Sequence, residues 1–168
     1  YQDNLFDIQT YRIDNSGNVY LLGLVYKDKR KSKRNGLPNY KYEILSCREV
    51  GATVMQYPVE VVDKFLTDMQ IEVLDNNSLV CAGFYSQKGT YSVKGTYFLT
   101  LDAATKEIKT KSFKEFDLDF VIQSMTSREA KKTVRKSEGG SEPELYEYDL
   151  HKLLIGKDGS AILIGEQY

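Results

Sequence analysis

The side chains that most often carry catalysis are sparse in this sequence. His151 is its single histidine, and no serine or cysteine motif stands near it. An acid–base or nucleophilic site built on histidine needs partner groups that orient and activate the ring. The Gly-x-Ser-x-Gly, Walker, Gly-x-Gly-x-x-Gly and Cys-x-x-Cys motifs are all missing from the sequence. We therefore predict that His151 is an ordinary strand-edge residue, and we assign no catalytic, cofactor-binding or metal-ligating residue.

Two groups of oxygen-bearing side chains invite a metal or carboxylate interpretation. Residues Asp14–Asn18 hold one aspartate and two asparagines, but they lack the spacing and the terminal glutamate of an EF-hand calcium loop. Glu115, Asp117 and Asp119 resemble the carboxylate pair of glycoside hydrolases. They stand, however, at a predicted helix start, where acidic side chains complement the helix dipole. The sequence therefore favours a turn at the first group and a helix N-terminus at the second.

Basic residues form two clusters along the chain. Binding of phosphate needs clustered cations, and single nucleic-acid strands are also held by aromatic side chains that stack on the bases. Neither cluster contains an aromatic residue, and the formal net charge of the chain is −1. We predict solvated segments and no nucleic-acid partner, with a surface binder of anionic polymers as an alternative. The clusters comprise Lys27, Lys29, Arg30, Lys31, Lys33 and Arg34, and Lys131, Lys132, Arg135 and Lys136.

Three apolar segments, each with a glycine inside, organise the chain. A turn residue precedes each glycine by six positions, and an aspartate stands just upstream. Asp, Asn and Gly favour tight turns, so each segment is predicted to be the second strand of a β-hairpin. A continuous apolar run is typical of a strand covered on both faces, and the glycine admits a close neighbour. The segments are Val19–Tyr26 with Gly23, Leu79–Tyr85 with Gly83, and Ala161–Tyr168 with Gly165.

Tyrosine is abundant, with 13 residues in a chain of 168 that has no tryptophan. Together with Val, Ile and Thr, it favours strands over helices. Tyr26, Tyr85 and Tyr168 close the three apolar segments, where they either line a ligand surface or pack between sheets; we predict packing. Cys47 and Cys81 lie in apolar, strand-like runs. We expect buried free thiols, with one disulfide as the alternative.

The segments between the hairpins predict further strands and one helical insertion. Apolar residues at helical spacing predict a helix over Phe116–Thr133, and Ser112–Glu115 has the spacing of a capping box. The polar stretch Arg135–Glu144 is predicted to be mobile. Pro58 fits an edge strand, where no ladder donor is needed. The predicted strands are Tyr40–Cys47, Val54–Val61, Val93–Leu101 and Ile108–Phe113.

The glycine spacing indicates a repeat. Gly23 and Gly83 lie 60 residues apart and Gly83 and Gly165 lie 82 apart, and the excess of 22 matches the helical insertion. Four-stranded repeats with a buried inner strand are typical of β-propeller blades. We predict an all-β chain, a propeller-like array of about two and a half four-stranded antiparallel blades with one helical insertion. A single β-barrel or sandwich is the alternative.

The predicted array has consequences for domain division and association. Unpaired strand edges invite pairing with other chains, so self-association is expected. No stretch approaches the ~20 apolar residues of a membrane-spanning helix, and no signal peptide is recognised. The predicted parts are repeat 1 at about 7–62, repeat 2 at about 67–113, an insertion at about 114–144 and a partial repeat 3 at about 145–168.

Four segments resemble uncharacterised β-propeller-like proteins of Bacteroidetes: Asn4–Tyr11, Gly17–Gly23, Leu79–Ser86 and Leu163–Tyr168. The resemblance covers most of the chain. It implies an exported protein, periplasmic or extracellular, in which further strands follow the last of these segments. That group has no assigned activity, so the resemblance implies no catalytic residue.

Two functions from different classes follow from the sequence. The first is a non-enzymatic binding or scaffold module of an exported protein, with an unknown protein or carbohydrate as its ligand. It is favoured because the repeats carry no catalytic constellation. The second is part of a β-propeller enzyme whose active site needs further blades, since blades of such a ring share a central channel.

Overall fold

The computed structural model describes residues 5–27, 33–34, 37–48, 54–76, 78–87 and 92–168. Antiparallel sheets dominate these ranges and none of them closes on itself, so the predicted all-β class is confirmed. The helices are α1 (Leu118–Ile122) and α2 (Ser127–Glu138). The strands are β1 (Phe6–Ile13), β2 (Val19–Tyr26), β3 (Lys33–Arg34), β4 (Leu37–Pro38), β5 (Tyr40–Cys47), β6 (Val54–Val59), β7 (Lys64–Leu66), β8 (Gln70–Val73), β9 (Ser78–Gln87), β10 (Gly95–Asp102), β11 (Ile108–Glu115), β12 (Tyr148–Ile155) and β13 (Ala161–Gln167).

Two sheets and a separate hairpin make up the fold. The first sheet runs in the order β1-β2-β5-β6. The second runs β11-β10-β9, and the other edge of β9 pairs first with β7 and then with β8. Strands β12 and β13 pair with each other, as do the short strands β3 and β4. Because β7 and β8 share one edge of β9, each large sheet has four strand positions.

Three hairpins, β1–β2, β8–β9 and β12–β13, are closed by the same kind of hydrogen bond. In each, the amide of the residue after the first strand donates to the carbonyl four residues later. Gly17 and Gly159 adopt left-handed φ angles of 81° and 83°, which glycine tolerates. The predicted turns are confirmed here, whereas Asn77 lies outside the described residues. The bonds join Asp14 N to Asn18 O, Leu74 N to Ser78 O and Gly156 N to Ser160 O, at 3.0, 2.9 and 2.8 Å.

The central glycine of each hairpin lies where a neighbour leaves no room for a side chain. Opposite each glycine the first strand is irregular: the register shifts after Ile8 and after Leu150, and the strand is interrupted between β7 and β8. The predicted close approach is therefore confirmed. A methyl group would lie 2.4 Å from the Phe6 ring at Gly23, 2.1 Å from the Asp68 carbonyl oxygen at Gly83 and 2.9 Å from the Phe84 ring at Gly165.

The main core lies between the two large sheets. Leu22 and Ile44 of the first sheet belong to the same buried cluster as Ile71, Cys81 and Leu99 of the second. Strand β9 is buried along nearly its whole length, as predicted for a strand covered on both faces. Two smaller clusters attach α1 and the third hairpin to the second sheet; they comprise Phe84, Val93, Val121, Leu145 and Leu150, and Val80, Ala82 and Leu153.

Strand β13 contradicts the prediction of double coverage. Its apolar residues are largely exposed, and only Leu163 packs against the smaller clusters. The physical reason is that its sheet has two strands, so one face of the hairpin meets the second sheet and the other meets solvent. The apolar run forms a strand, as predicted, but this strand is not covered on both faces.

The helical insertion also differs from its prediction. The expected helix Phe116–Thr133 is two helices, and the polar stretch predicted to be mobile begins with the last turn of α2. Ser112–Glu115 belongs to β11 and is not a capping box. Thr126 and Glu129 form the capping box instead: Glu129 Oε2 accepts from Thr126 N at 3.0 Å, and Glu129 N donates to Thr126 Oγ1 at 3.4 Å. The N-cap residue Thr126 has an extended backbone, with a ψ of 154°. The predicted single helix is therefore interrupted at this residue.

Several smaller predictions are settled by the described residues. Pro58 lies on β6, the edge strand of the first sheet, as predicted. Cys47 is half-buried and Cys81 is buried, and both are free thiols; burial raises the pKa of Cys81 to about 12. Most of the basic segment 27–36 lies outside the described residues. Within the described part, no helix is long and apolar enough to cross a membrane.

Candidate functional site

An open groove of about 530 Å³ lies between the two large sheets, where the ends of β5, β6 and β7 meet. Its floor is apolar and its rim is charged. Tyr40, Tyr42, Val59 and Phe65 contribute to the floor, and Lys41, Glu60 and Asp63 stand among the charged lining residues. Pockets of this size with a mostly apolar lining and a few polar groups are typical of ligand sites.

The connection from β6 to β7 shapes one wall of the groove. Lys64 N donates to Val61 O at 3.4 Å, which makes a tight turn between the two sheets. Asp63 adopts a left-handed φ of 62°, a conformation that aspartate tolerates better than most residues. Val62, at the tip of this turn, is 85% exposed. The turn therefore presents an apolar side chain to solvent beside the groove.

Aromatic rings fix the floor of the groove. Tyr40 meets the rings of Tyr26, Tyr42 and Phe65 edge-to-face, with centroids 6.3, 6.0 and 5.1 Å away. The hydroxyls of Tyr40 and Tyr42 both donate to the Thr67 carbonyl, at 3.1 and 3.4 Å. Burial raises the pKa of Tyr42 well above its usual value. The rings are thus held in place before any ligand arrives.

Charges of both signs surround this floor. Lys41 Nζ lies 3.3 Å from Glu60 Oε1. Lys64 Nζ lies 4.6 Å above the centre of the Tyr85 ring and 5.1 Å from that of Phe113. Among the described lining residues none is a histidine, cysteine, serine or threonine. The arrangement can bind a ligand by apolar contact and hydrogen bonding, and it offers no nucleophile of those types.

His151 lies outside the groove lining. It sits in β12 at the register shift, is exposed, and its Nε2 lies 3.1 Å from Glu166 Oε2. The strand interpretation of His151 agrees with this position. Asp117 is the N-cap of α1 and accepts from Phe120 N at 2.8 Å, with Asp119 in the first turn. The predicted helix N-terminus is therefore confirmed for Asp117 and Asp119 but is wrong for Glu115, which belongs to β11 because it pairs with Gly95 of β10.

Asp14 serves the first turn, as predicted. Its Oδ1 accepts from Ser16 N and Asn18 N, both at 2.9 Å, and its Oδ2 accepts from Asn18 Nδ2 at 2.7 Å and from Tyr20 Oη at 3.2 Å. Burial alone would raise the pKa of Asp14, but these hydrogen bonds outweigh it and lower the pKa. The carboxylate is fully engaged with its own hairpin.

The three strand-closing tyrosines have different surroundings. Tyr26 packs on Tyr40 as described above, and Tyr85 is buried with its ring 5.3 Å from Phe113. Tyr168 is 68% exposed, so the packing prediction is wrong for it. It fails because no third strand stands beside β13 within the described residues.

Sequence reasoning missed Asp68, which joins the second sheet to the third hairpin. Its Oδ1 accepts from Met69 N at 2.8 Å and its Oδ2 from Leu150 N at 2.7 Å. Tyr97 Oη donates to its carbonyl oxygen at 2.9 Å. Burial raises the pKa of the Asp68 carboxyl to about 6. A lone aspartate between two short strands reads as a loop residue, so the sequence held no signal for this role.

A second missed group surrounds Lys94. This buried lysine forms ion pairs with Glu115 and Glu142, and Gln87 Nε2 donates to Glu142 Oε2 at 2.7 Å. The pKa of Lys94 is raised, chiefly by its bond to Glu142. The pair with Glu142 ties the segment after α2 to the second sheet. We read this group as structural because its charges satisfy one another.

In the described residues, no three or more His, Cys, Asp and Glu side chains come together in a way that could hold a metal ion. The groove between the two large sheets, with its apolar floor and charged rim, is the candidate binding site. Scans against protein-family models, curated proteins and solved structures found no match to this chain.

Proposed function

We propose that the chain is a propeller-like array of four-stranded blades and serves as a non-enzymatic binding or scaffold module of an exported protein. One observation carries the blade arrangement: hydrogen bonds between successive hairpins span the same intervals as the central glycines. Arg12 Nε donates to Glu72 Oε1, and Asn15 Nδ2 to Asp75 Oδ1, both at 2.8 Å across 60 residues. The bond from Leu150 to Asp68 spans 82 residues.

Contacts between equivalent positions of successive repeats are expected of a rotational array. When similar units are arranged about an axis, equivalent positions close to that axis lie near each other in neighbouring units, as around the central channel of a propeller. Strand β8, at the edge of the second sheet, contacts both β1 and β12. The strand nearest the axis in a middle blade would make the same two contacts. A single barrel or sandwich folds one unit onto itself and gives no reason for bonds between positions one repeat apart. These contacts support the array over that alternative.

The two ends of the proposed array carry exposed apolar faces. Strand β1 exposes Ile8, Tyr11 and Ile13, and the third hairpin exposes Ile162 and Ile164. In an array of blades these are the faces on which the next blade packs. Contiguous exposed apolar surface usually marks an interaction site. We therefore propose that the ends are covered in the functional protein, and that isolated chains associate through them.

We propose that the groove binds a carbohydrate. Its aromatic floor and mixed-sign rim suit an uncharged polar ligand with apolar faces, which saccharides have. A strongly charged ligand would meet a like charge on this rim, because both lysines and carboxylates line it. A peptide segment is the competing ligand class.

The test compares two exposed valines. Saturation-transfer NMR with a panel of neutral oligosaccharides and of short peptides identifies the ligand class. Val62→Ser, at the groove, should weaken oligosaccharide binding about tenfold, a loss of about 1.4 kcal/mol. Val54→Ser, on β6 outside the lining, should leave it unchanged. Binding of peptides alone, or an equal effect of both substitutions, would overturn the carbohydrate assignment.

The alternative, part of a β-propeller enzyme, rests on Asp68. Its pKa of about 6 is suited to acid–base work near neutral pH, and the charges of Asp149 and His151 act on it. Two backbone amides already occupy its oxygens, which argues for a structural role. Turnover of chromogenic hydrolase substrates that Asp68→Asn abolishes, without loss of folding, would favour the enzyme.

A further inference from the structure

Helix α2 gathers five cations on one face. The residues stand at positions i, i+3, i+4, i+7 and i+8, which share a face of an α-helix because it has 3.6 residues per turn. The sequence does not predict this shared face, because the predicted helix ends at Thr133 and leaves Arg135 and Lys136 in the stretch predicted to be mobile. The cations are Arg128, Lys131, Lys132, Arg135 and Lys136.

The helix is capped at both ends, and its half-buried face, Ala130, Thr133, Val134 and Ser137, lies opposite the exposed cations. The capping box of Thr126 and Glu129 fixes its start, and Gly140 N donates to Ser137 O at 2.9 Å beyond its end. Thr133 Oγ1 donates to Met125 Sδ at 3.4 Å. None of its residues is buried, and its main contact is with α1. The cationic face is therefore accessible.

Helix stability does not account for these cations. Arg135 and Lys136 complement the helix dipole in the last turn, but Arg128 stands in the first turn, where a cation is unfavourable. The pairs 128/132, 131/135 and 132/136 bring like charges together at i, i+4, which destabilises a helix. Among the ion pairs of the described residues, none involves these five side chains. A partner with closely spaced anions would relieve this repulsion.

We propose that this face of α2 binds a linear anionic polysaccharide, one that carries sulfate or carboxylate groups. The site is separate from the groove and does not depend on it. Clustered cations bind polyanions by releasing counterions. The polymer is recognised by its charge spacing along a stripe of about 12 Å, the rise of eight helical residues.

Two other polyanions fit less well. The opposite face of α2 carries Ala130, Val134 and Ser137 and no bulky apolar residue, which a membrane-surface helix needs. The helix has no aromatic residue on which bases would stack. A duplex is held by many phosphate contacts, whereas this stripe offers five charges on a chain of net charge −1. A single flexible polymer can follow so short a stripe.

Heparin is the probe for the test, with fluorescence anisotropy at increasing salt as the readout. The triple variant Lys131→Gln, Lys132→Gln, Arg135→Gln removes three charges with little loss of helix propensity. The control Lys111→Gln, Lys152→Gln, Lys157→Gln removes three exposed charges elsewhere. The first should bind heparin at least about tenfold more weakly than the native chain. The second should bind within about twofold of it.

Three results would overturn the proposal. Equally weakened heparin binding in both triple variants would mean that binding depends on the overall charge of the chain and not on the α2 face. Tighter binding of single-stranded or duplex DNA than of heparin, at equal anion concentration, would assign the face to nucleic acid. Binding only to vesicles of anionic lipid would assign it to membranes. Lys131→Arg with Lys132→Arg keeps the charges, so it should retain heparin binding; circular dichroism confirms that each variant keeps its helix.

Discussion

Asp68 makes the attachment of the third hairpin sensitive to pH. Its carboxylate accepts from Leu150 N across 82 residues, and burial raises its pKa from 3.8 to about 6. A raised carboxyl pKa in the folded state contributes stability that is present below about pH 4 and is lost as the pH rises through about 6. The full effect of such a shift is at most about 3 kcal/mol.

The variant Asp68→Asn tests this contribution. The difference in unfolding free energy between the native chain and Asp68→Asn should decrease as the pH rises from 4 to 7. Thermal and urea unfolding at each pH measure it. Asp7→Asn, an exposed aspartate on β1, is the matched control and should follow the native pH profile. Parallel profiles for Asp68→Asn and the native chain would contradict the assignment.

The central glycines predict a graded series of alanine substitutions. Gly83→Ala places a methyl group 2.1 Å from the backbone oxygen of Asp68, a main-chain atom that accepts a hydrogen bond from Tyr97 Oη. It should cost at least about 2 kcal/mol of unfolding free energy. Gly23→Ala should cost less, because the Phe6 ring can turn away.

Gly139 is the control for this series. Its φ is −82°, and the nearest atom to a new methyl group lies 3.4 Å away. Gly139→Ala should therefore change the unfolding free energy by less than about 0.5 kcal/mol. If Gly83→Ala proved as mild as Gly139→Ala in urea unfolding, the close approach at Gly83 would be refuted.

At the scale of elements, the start of α2 depends on Thr126. Thr126→Ala removes the side chain that caps the helix and should cost about 1 kcal/mol of local stability. Hydrogen exchange of the α2 amides reports the loss directly. Ser127→Ala, one residue later, has no capping role and should leave exchange unchanged. Equal exchange in both variants would mean that the capping box does not hold the helix.

Capping-box spacing recurs in this sequence, and Ser112–Glu115, the segment that it predicts to start a helix, does not form the box. Ser112–Glu115 is part of β11 because its residues pair with β10 along the whole strand, and such tertiary pairing overrides a local signal. Hairpins were predictable, because their glycines and turn residues are local features. The exposure of β13 and the role of Asp68 were not predictable, since both depend on which distant elements pack against these residues. The groove was equally invisible, because it forms between two sheets.

At the scale of the whole molecule, the exposed faces of the end strands predict association. The double variant Ile162→Lys, Ile164→Lys places two charges on the open face of the third hairpin, where these side chains are 59% and 44% exposed. It should shift the chain to a monomer without loss of secondary structure. Sedimentation velocity measures the shift. The control Val54→Lys, Ile108→Lys changes exposed residues on β6 and β11 and should leave association intact.

The mass of the native chain in solution tests the central claim most directly. Light scattering on a sizing column over a range of concentrations gives that mass. An array of blades with uncovered ends predicts a dimer or larger assembly whose mass rises with concentration. A monomer at every concentration that unfolds in one cooperative transition would mean that the chain covers its own edges. That result would contradict the propeller-like array and favour a single barrel or sandwich.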